Sequence, residues 1–192
     1  MTIPAARSHN EAMMFVLLRE CRGCGRTNRD LTDELHVSET GAESHAEYTA
    51  FCRDCGNIDV YRLRLPAADP QAGERGVVFG GPEPSRILDA GEWVSVALRT
   101  SANTPEDPAG MTDQERSDAA LAMHTAAAAV REAAKFIEPG RERLPRSAMW
   151  TDVGREEFDR DPWRFSRPRL AVLERAYLEA AERLADGRPI WN

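Results

Sequence analysis

Cys21-Arg22-Gly23-Cys24-Gly25 and Cys52-Arg53-Asp54-Cys55-Gly56 are two copies of one short motif, and between them they use all four cysteines of the chain. Two cysteines separated by two residues can both reach one ion, because the intervening turn brings their sulfurs together. A thiolate is a soft ligand, and zinc takes four ligands tetrahedrally. A glycine straight after the second cysteine, Gly25 or Gly56, tolerates the positive φ with which the chain leaves such a turn. The pairing predicts one metal site with Cys21, Cys24, Cys52 and Cys55 as ligands and a single Zn2+ as the cofactor. Four thiolates leave no coordination position for water, so this zinc is expected to be structural.

Each knuckle also lies beside strand-like sequence. Met14–Leu18 precedes the first and Glu47–Phe51 the second, while Ile58–Leu65 alternates in polarity after it. At residues 12–66 the chain resembles the zinc-ribbon class, in which two knuckles sit on a small antiparallel sheet. One departure is the spacing: 27 residues separate Cys24 from Cys52, against about 15–20 in compact sites. The excess is expected to form a loop or short extra element over 31–47. His36 and His45 lie in it, but four cysteines already complete the shell.

Two other uses of four cysteines compete with metal. A pair of disulfides belongs to oxidising compartments. The apolar run Met13–Leu18 is too short for a signal-peptide core and lacks a small-residue cleavage site. A thioredoxin-type dithiol would suit a single Cys-x-x-Cys at a helix start better than two knuckles on strands. Free thiols without a targeting segment predict the cytoplasm.

A net charge of −7 opposes non-specific nucleic-acid binding. Nothing approaches a transmembrane span, so no membrane association is expected. Lys135 is the only lysine in the sequence, which excludes a Gly-Lys-Ser/Thr phosphate loop. It complements the end of a helix instead. Neither a Gly-x-Ser-x-Gly elbow, a His-Glu-x-x-His helix nor a dinucleotide-binding glycine fingerprint occurs.

Residues 1–11 are polar and read as frayed, and residues 66–73 read as a linker. Gly76–Phe79 is a candidate strand running into Gly80-Gly81, followed by a helix capped near Ser85. Such a loop could cradle an anion. A tight strand-to-helix turn accounts for it better, since it carries Glu83 and no lysine. Helical spacing follows over 87–101, where Gly91 is expected to let another helix approach. Thr112 and Glu115 form a capping box for a helix with an alanine-rich stripe of Ala119, Met123, Ala126, Val130, Ala133 and Ile137. His124 borders that stripe and is expected to be packed. A shorter helix over 147–160 offers Trp150 and Phe158 for burial. Ser166 and Pro168 open a last helix with the stripe Leu170, Leu173, Tyr177 and Leu184, an outer Glu179–Arg183 pair, and a foldback at Trp191.

Between those two helices Arg160, Arg164, Arg167 and Arg169 interleave with Trp163 and Phe165. Arginine with aromatics suits phosphate contact and base stacking. Neighbouring Glu156, Glu157, Asp159 and Asp161 explain the stretch as internal salt bridges around an aromatic anchor.

The fold class predicted is α+β: an antiparallel zinc ribbon over 12–66, then a mainly helical unit of about four helices over 76–187. The leading functional expectation is a non-enzymatic interaction or regulatory module with a protein partner. A homodimer through a helical face is compatible with it. The alternative is a nucleic-acid-associated factor using ribbon strands and the Arg–aromatic segment. A third class is an enzyme whose site comes from residues far apart in sequence.

Overall fold

The computed structural model describes residues 3–37, 44–66 and 77–187. Within them the chain is mixed, with a three-stranded antiparallel sheet and five α-helices. No helix among the described residues is long and apolar enough to cross a membrane. The chain divides into two units. One comprises residues up to Pro66 with Val78–Gly81 and Ser85–Ile87; the other comprises Val77, Pro82–Pro84 and Leu88 onward.

The first unit begins with a helix where a strand was expected. α1 spans His9–Leu18, so Met14–Leu18 is helical. A short apolar run does not by itself distinguish strand from helix, and here the cap decides. The Ser8 hydroxyl accepts the Glu11 N–H at 3.0 Å and donates to the Phe79 carbonyl at 2.8 Å. Glu11, wholly buried, accepts the Arg7 N–H at 2.6 Å and the Arg7 guanidinium at 2.6 and 2.9 Å. The expected fraying is not found at Ala5 and Ala6: Ala5 bridges Arg64, and Ala6 donates to the Arg64 carbonyl at 2.9 Å.

The sheet is a meander of β1 (Arg29–Val37), β2 (Ser44–Cys52) and β3 (Ile58–Leu65) in that order. Most of the interval between the knuckles is thus strand: of the loop or short extra element expected over 31–47, residues 31–37 belong to β1 and 44–47 to β2, and 38–43 lie outside the described residues. The buried core under the sheet holds Ala6, Ala12, Val16, Ala46, Tyr48, Ala50 and Leu63, with Met13, Phe15 and Tyr61 around it. Four of these seven are alanines, so little apolar area is removed from water. The wholly buried Tyr48 reaches α1 through its hydroxyl, 3.1 Å from His9 Nδ1.

The second unit contains α2 (Ala90–Ala102), α3 (Asp113–Ala134), α4 (Asp152–Arg160) and α5 (Arg167–Ala185). α3 packs on α2 and α5, and α2 packs on α4. The Thr112–Glu115 capping box is present, and Ala119, Met123, Ala126, Val130 and Ala133 are all buried. Several helix boundaries differ from expectation. Val77–Gly80 is not a strand, and Gly76 lies outside the described residues. Ser85 does not cap α2; Asp89 does, four residues later. α3 ends at Ala134, before the still-buried Ile137. α4 starts only at Asp152, after a 3-10 turn at Arg146–Ala148. Ser166 stands at the N-cap of α5, but its hydroxyl donates to the Trp163 carbonyl at 3.0 Å and caps nothing. Glu179 pairs with Arg175 at 3.7 Å, the i−4 neighbour in place of Arg183. Phe158 packs on the buried Phe165, whereas Trp150 remains 45% exposed. Trp191 and most of the 66–73 linker lie outside the described residues.

The junction of α2 and α4 rests on one carboxylate. Asp89, fully buried, accepts from the Glu92 N–H (2.8 Å), the Trp150 N–H (2.8 Å), and the Thr151 N–H (2.7 Å) and hydroxyl (2.8 Å). Thr151 in turn caps α4 by accepting from the Gly154 N–H at 3.0 Å. Two helix N-termini, each with unpaired N–H groups and a positive dipole end, thereby share one negative charge. The close approach needs glycine on both sides: a Cβ on Gly91 would overlap the Gly154 backbone, and one on Gly154 would overlap the Asp89 carboxylate. Asp89→Ala should cost about 3–5 kcal/mol, because it removes a cap and strands buried donors. Gly154→Ala should cost about 1–3 kcal/mol by overpacking. Urea unfolding followed by helical circular dichroism measures both, and a loss under about 1 kcal/mol for Asp89→Ala would remove the junction from this account.

Candidate metal centre

Both knuckles adopt the same turn. The Cys21 N–H donates to the Arg26 carbonyl (2.8 Å) and the Gly25 N–H to the Cys21 carbonyl (2.8 Å). The Cys52 N–H donates to the Asn57 carbonyl (2.9 Å) and the Gly56 N–H to the Cys52 carbonyl (2.9 Å). Gly25 and Gly56 leave these turns at φ +74° and +75°, the left-handed region in which a side chain would be strained.

The sheet register carries the two turns to one place. Arg29, the first residue of β1, pairs with Cys52, the last of β2, and Phe51 pairs with Ile58 across the second knuckle. The four sulfurs all lie within 4.8 Å of one another. Cys21–Cys55 and Cys24–Cys52 are each 3.6 Å apart, and all four cysteines are free. A disulfide would need about 2.05 Å. A regular tetrahedron with metal–sulfur bonds of about 2.3 Å has edges of about 3.8 Å. The donor set therefore fits a tetrahedrally bound divalent ion. Cys21 and Cys52 are buried, while Cys24 and Cys55 face outward. His36 and His45 are register partners at the far end of the hairpin, seven residue pairs or about 24 Å from the sulfurs.

Four thiols this close cannot all ionise without a cation. Burial pushes the Cys21 thiol up, but N–H groups of Cys24 and Gly23 and the neighbouring thiols outweigh it and bring Cys21 down to about 6. The Asn57 N–H lowers Cys55, yet Cys24, Cys21, Cys52 and burial together push it up to about 12. Cys24 also lies above its usual value: the Arg26 N–H favours its thiolate, but burial and the Cys52 and Cys21 sulfurs prevail.

Around the sulfurs stands a set of polar groups, most of them outside the two motifs. Asp59, 4% exposed, accepts from the Arg22 N–H (3.2 Å) and from Asn57 Nδ2 (3.0 Å). It faces the fully buried Arg29 guanidinium at 3.0 Å. Arg29 donates to the Tyr61 hydroxyl at 3.1 Å. Burial works against its charge, but Tyr61, Asp59 and Cys21 raise its pKa above the usual value. Arg53 in the second knuckle pairs with Asp30 of β1 through Nε at 2.8 Å. The signal for Asp59 was present in the sequence: β3 buries alternate positions 59, 61, 63 and 65 to differing degrees, and only position 59 is charged.

The Arg–aromatic segment is not gathered into one cationic face. Arg160 pairs with Glu157, and Arg164 lies 3.5 Å from both Glu157 and Asp161. Arg167 points at the carbonyls of Ile137 and Arg141, both at 3.5 Å. Phe165 is buried, but Trp163 is 62% exposed with Arg143 stacked 3.6 Å above its ring. Arg169 and Trp163 line two shallow grooves of about 480 and 260 Å³. The Gly80-Gly81 loop leads into no helix, and a Cβ on Gly80 would lie 2.8–2.9 Å from the Arg7 side chain. That glycine lets the loop cover the Arg7–Glu11 pair.

Compared with known proteins, the chain matches no family model, no curated protein and no solved structure.

Metal capture at neutral pH must displace the protons held by Cys24 and Cys55. Protons compete for the ligands, so affinity should fall as pH falls. Cobalt or zinc affinity measured against a chelator should rise between pH 6.5 and 8 with a slope of at least about two in log K per pH unit. A pH-independent affinity would remove these two thiols from the ligand set.

Proposed function

We propose that this chain is a zinc protein of the ribbon type, in which Cys21, Cys24, Cys52 and Cys55 hold one structural Zn2+ and the folded sheet serves as a non-enzymatic interaction or regulatory module in the cytoplasm. The observation that carries the reading is the cluster of four sulfurs within 4.8 Å, formed by two identical turns. Thiolate donors favour zinc among divalent ions of the cell, and a four-sulfur shell has no open position for catalysis. The alanine-rich core of this unit gives the metal a reason to be there, because binding energy at such a site is folding energy.

The interaction half of the reading is supported by the sheet's outward face. Phe51 (44% exposed) lies opposite Ile58 (60%), with Val60 (45%) beside them, at the end of the sheet nearest the sulfurs. Exposed apolar residues gathered beside a rigid site suit a protein partner. The nucleic-acid alternative has less behind it, since Arg160, Arg164 and Arg167 of the Arg–aromatic segment are engaged internally. Affinity for RNA or DNA that falls steeply with salt would revive it.

Elemental analysis of reduced protein should give one zinc per chain. Chelation should collapse the amide resonances of β1–β3 while those of α3 persist. Absence of stoichiometric metal, or a sheet indifferent to chelation, removes the zinc reading. Phe51→Ser with Ile58→Ser should keep the zinc and lose the partner that the parent chain retains from source cells. A parent chain that retains nothing above control overturns the interaction reading.

A further inference from the structure

Asp59 touches the supports of both knuckles without touching a sulfur. One of its oxygens accepts the N–H of Arg22, the residue after the first ligand, and faces Arg29 at the start of β1; the other accepts from Asn57, the residue that closes the second turn. The knuckles are in close packing at this same point: a Cβ on Gly23 would lie 3.1 Å from the Asn57 Cβ and 3.4 Å from Cys55 Sγ. The Gly23 N–H, one peptide beyond the one Asp59 holds, points at Cys21 Sγ from 3.3 Å.

A buried ion pair needs a reason for being there, because apolar residues of similar size usually stabilise a fold as well or better. This pair is also not well satisfied. The Nε and Nη2 of Arg29 are buried without a directed hydrogen bond, so the 3.0 Å approach to Asp59 is a contact of charges. As a device for holding the sheet it is a poor choice. As a device for aiming a peptide plane it is a good one, since a carboxylate clamped from two other sides has little freedom to move.

We propose that Asp59 is the positioning residue of the metal centre. Its carboxylate fixes the first knuckle over the second through the Arg22 N–H, with Asn57 and Arg29 as its supports, so that metal affinity depends on it while the sheet of the metal-loaded chain keeps its fold without it. The inference rests on the reading that the four cysteines bind zinc. Partners that orient ligands in this way typically change metal affinity by about 10–100-fold when removed.

The test is an anaerobic Co2+ titration of the reduced, metal-free chain, followed by displacement with Zn2+. The cobalt absorption reports tetrahedral thiolate ligation and the displacement reports affinity. Asp59→Ala should weaken zinc binding about 10–100-fold, with the cobalt spectrum at saturation and the sheet amide resonances of the metal-loaded protein unchanged. Asp59→Asn keeps an acceptor for Arg22 but leaves Arg29 buried without a counter-charge. Adding Arg29→Met to it should therefore restore affinity to within about threefold of the parent. Asp59→Ala binding within about twofold of the parent overturns the proposal, as does a double variant no better than Asp59→Ala. Should Asp59→Ala fail to fold even with metal, Asn57→Ala removes only a support. A loss of about tenfold there sustains the proposal and no loss overturns it. A parent chain that never gives a tetrahedral cobalt spectrum overturns the zinc reading itself, which is distinct from a normal parent with an indifferent Asp59.

Discussion

Like-charge repulsion among four sulfurs is the constraint around which the N-terminal unit is built. The chain brings them within 4.8 Å although their thiols then compete for ionisation, Cys21 drawn down to about 6 and Cys55 pushed up to about 12. Backbone aims the sulfurs at one another in this arrangement. Two matching turns set the geometry inside each knuckle, and the antiparallel register sets the geometry between them. The register follows from sequence order. The first knuckle precedes β1, and the second joins β2 to β3, so an antiparallel meander must place both at the same end of the sheet.

The same order explains how much was legible. Cys-x-x-Cys-Gly is a local code: the turn is made by its own residues and the glycine by its own φ, so the meeting of the four cysteines could be expected from spacing alone. The Thr112–Glu115 box and the alanine stripe of α3 are also local, and they too were readable. The errors lie where a distant partner decides. Met14–Leu18 is apolar enough for a strand, but Ser8 and Glu11 cap a helix there because the backbone of Phe79, 71 residues away, receives the Ser8 hydroxyl. Asp89 replaces Ser85 as the cap of α2 because its other acceptor positions are taken by Trp150 and Thr151, more than 60 residues on. Gly91 was legible as a place of close approach, and its partner Gly154 was not.

The arginine-rich segment shows the reverse limit. Composition alone suggested a cationic, aromatic face, and the acids that precede it suggested neutralisation. Both are partly realised, by different residues: Glu157 and Asp161 take Arg160 and Arg164, while Trp163 stays exposed and is stacked by Arg143, which lies outside the segment. Sequence proximity identifies available charges, but side-chain reach and helix phase choose among them.

At the end that carries the four cysteines the sheet reverses the usual polarity of its faces. Inward positions that would normally be apolar hold Arg29 and Asp59, and outward positions that would normally be polar hold Phe51, Ile58 and Val60. Buried charge and exposed apolar surface are the two departures that ordinary packing does not explain. Their coincidence at one end has a common physical sense if zinc is bound there. A charged inner network can be accommodated where the metal, and not an apolar core, holds the strands together. The outer face is then released from packing duties and can be apolar without a partner inside the chain. Phe51 adjoins Cys52, and Ile58 adjoins Asn57, whose carbonyl closes the second turn. Loss of the ion would therefore dissolve the surface together with the site. On this view the metal acts as a condition for presenting a face, and its chemistry is confined to keeping four sulfurs in place.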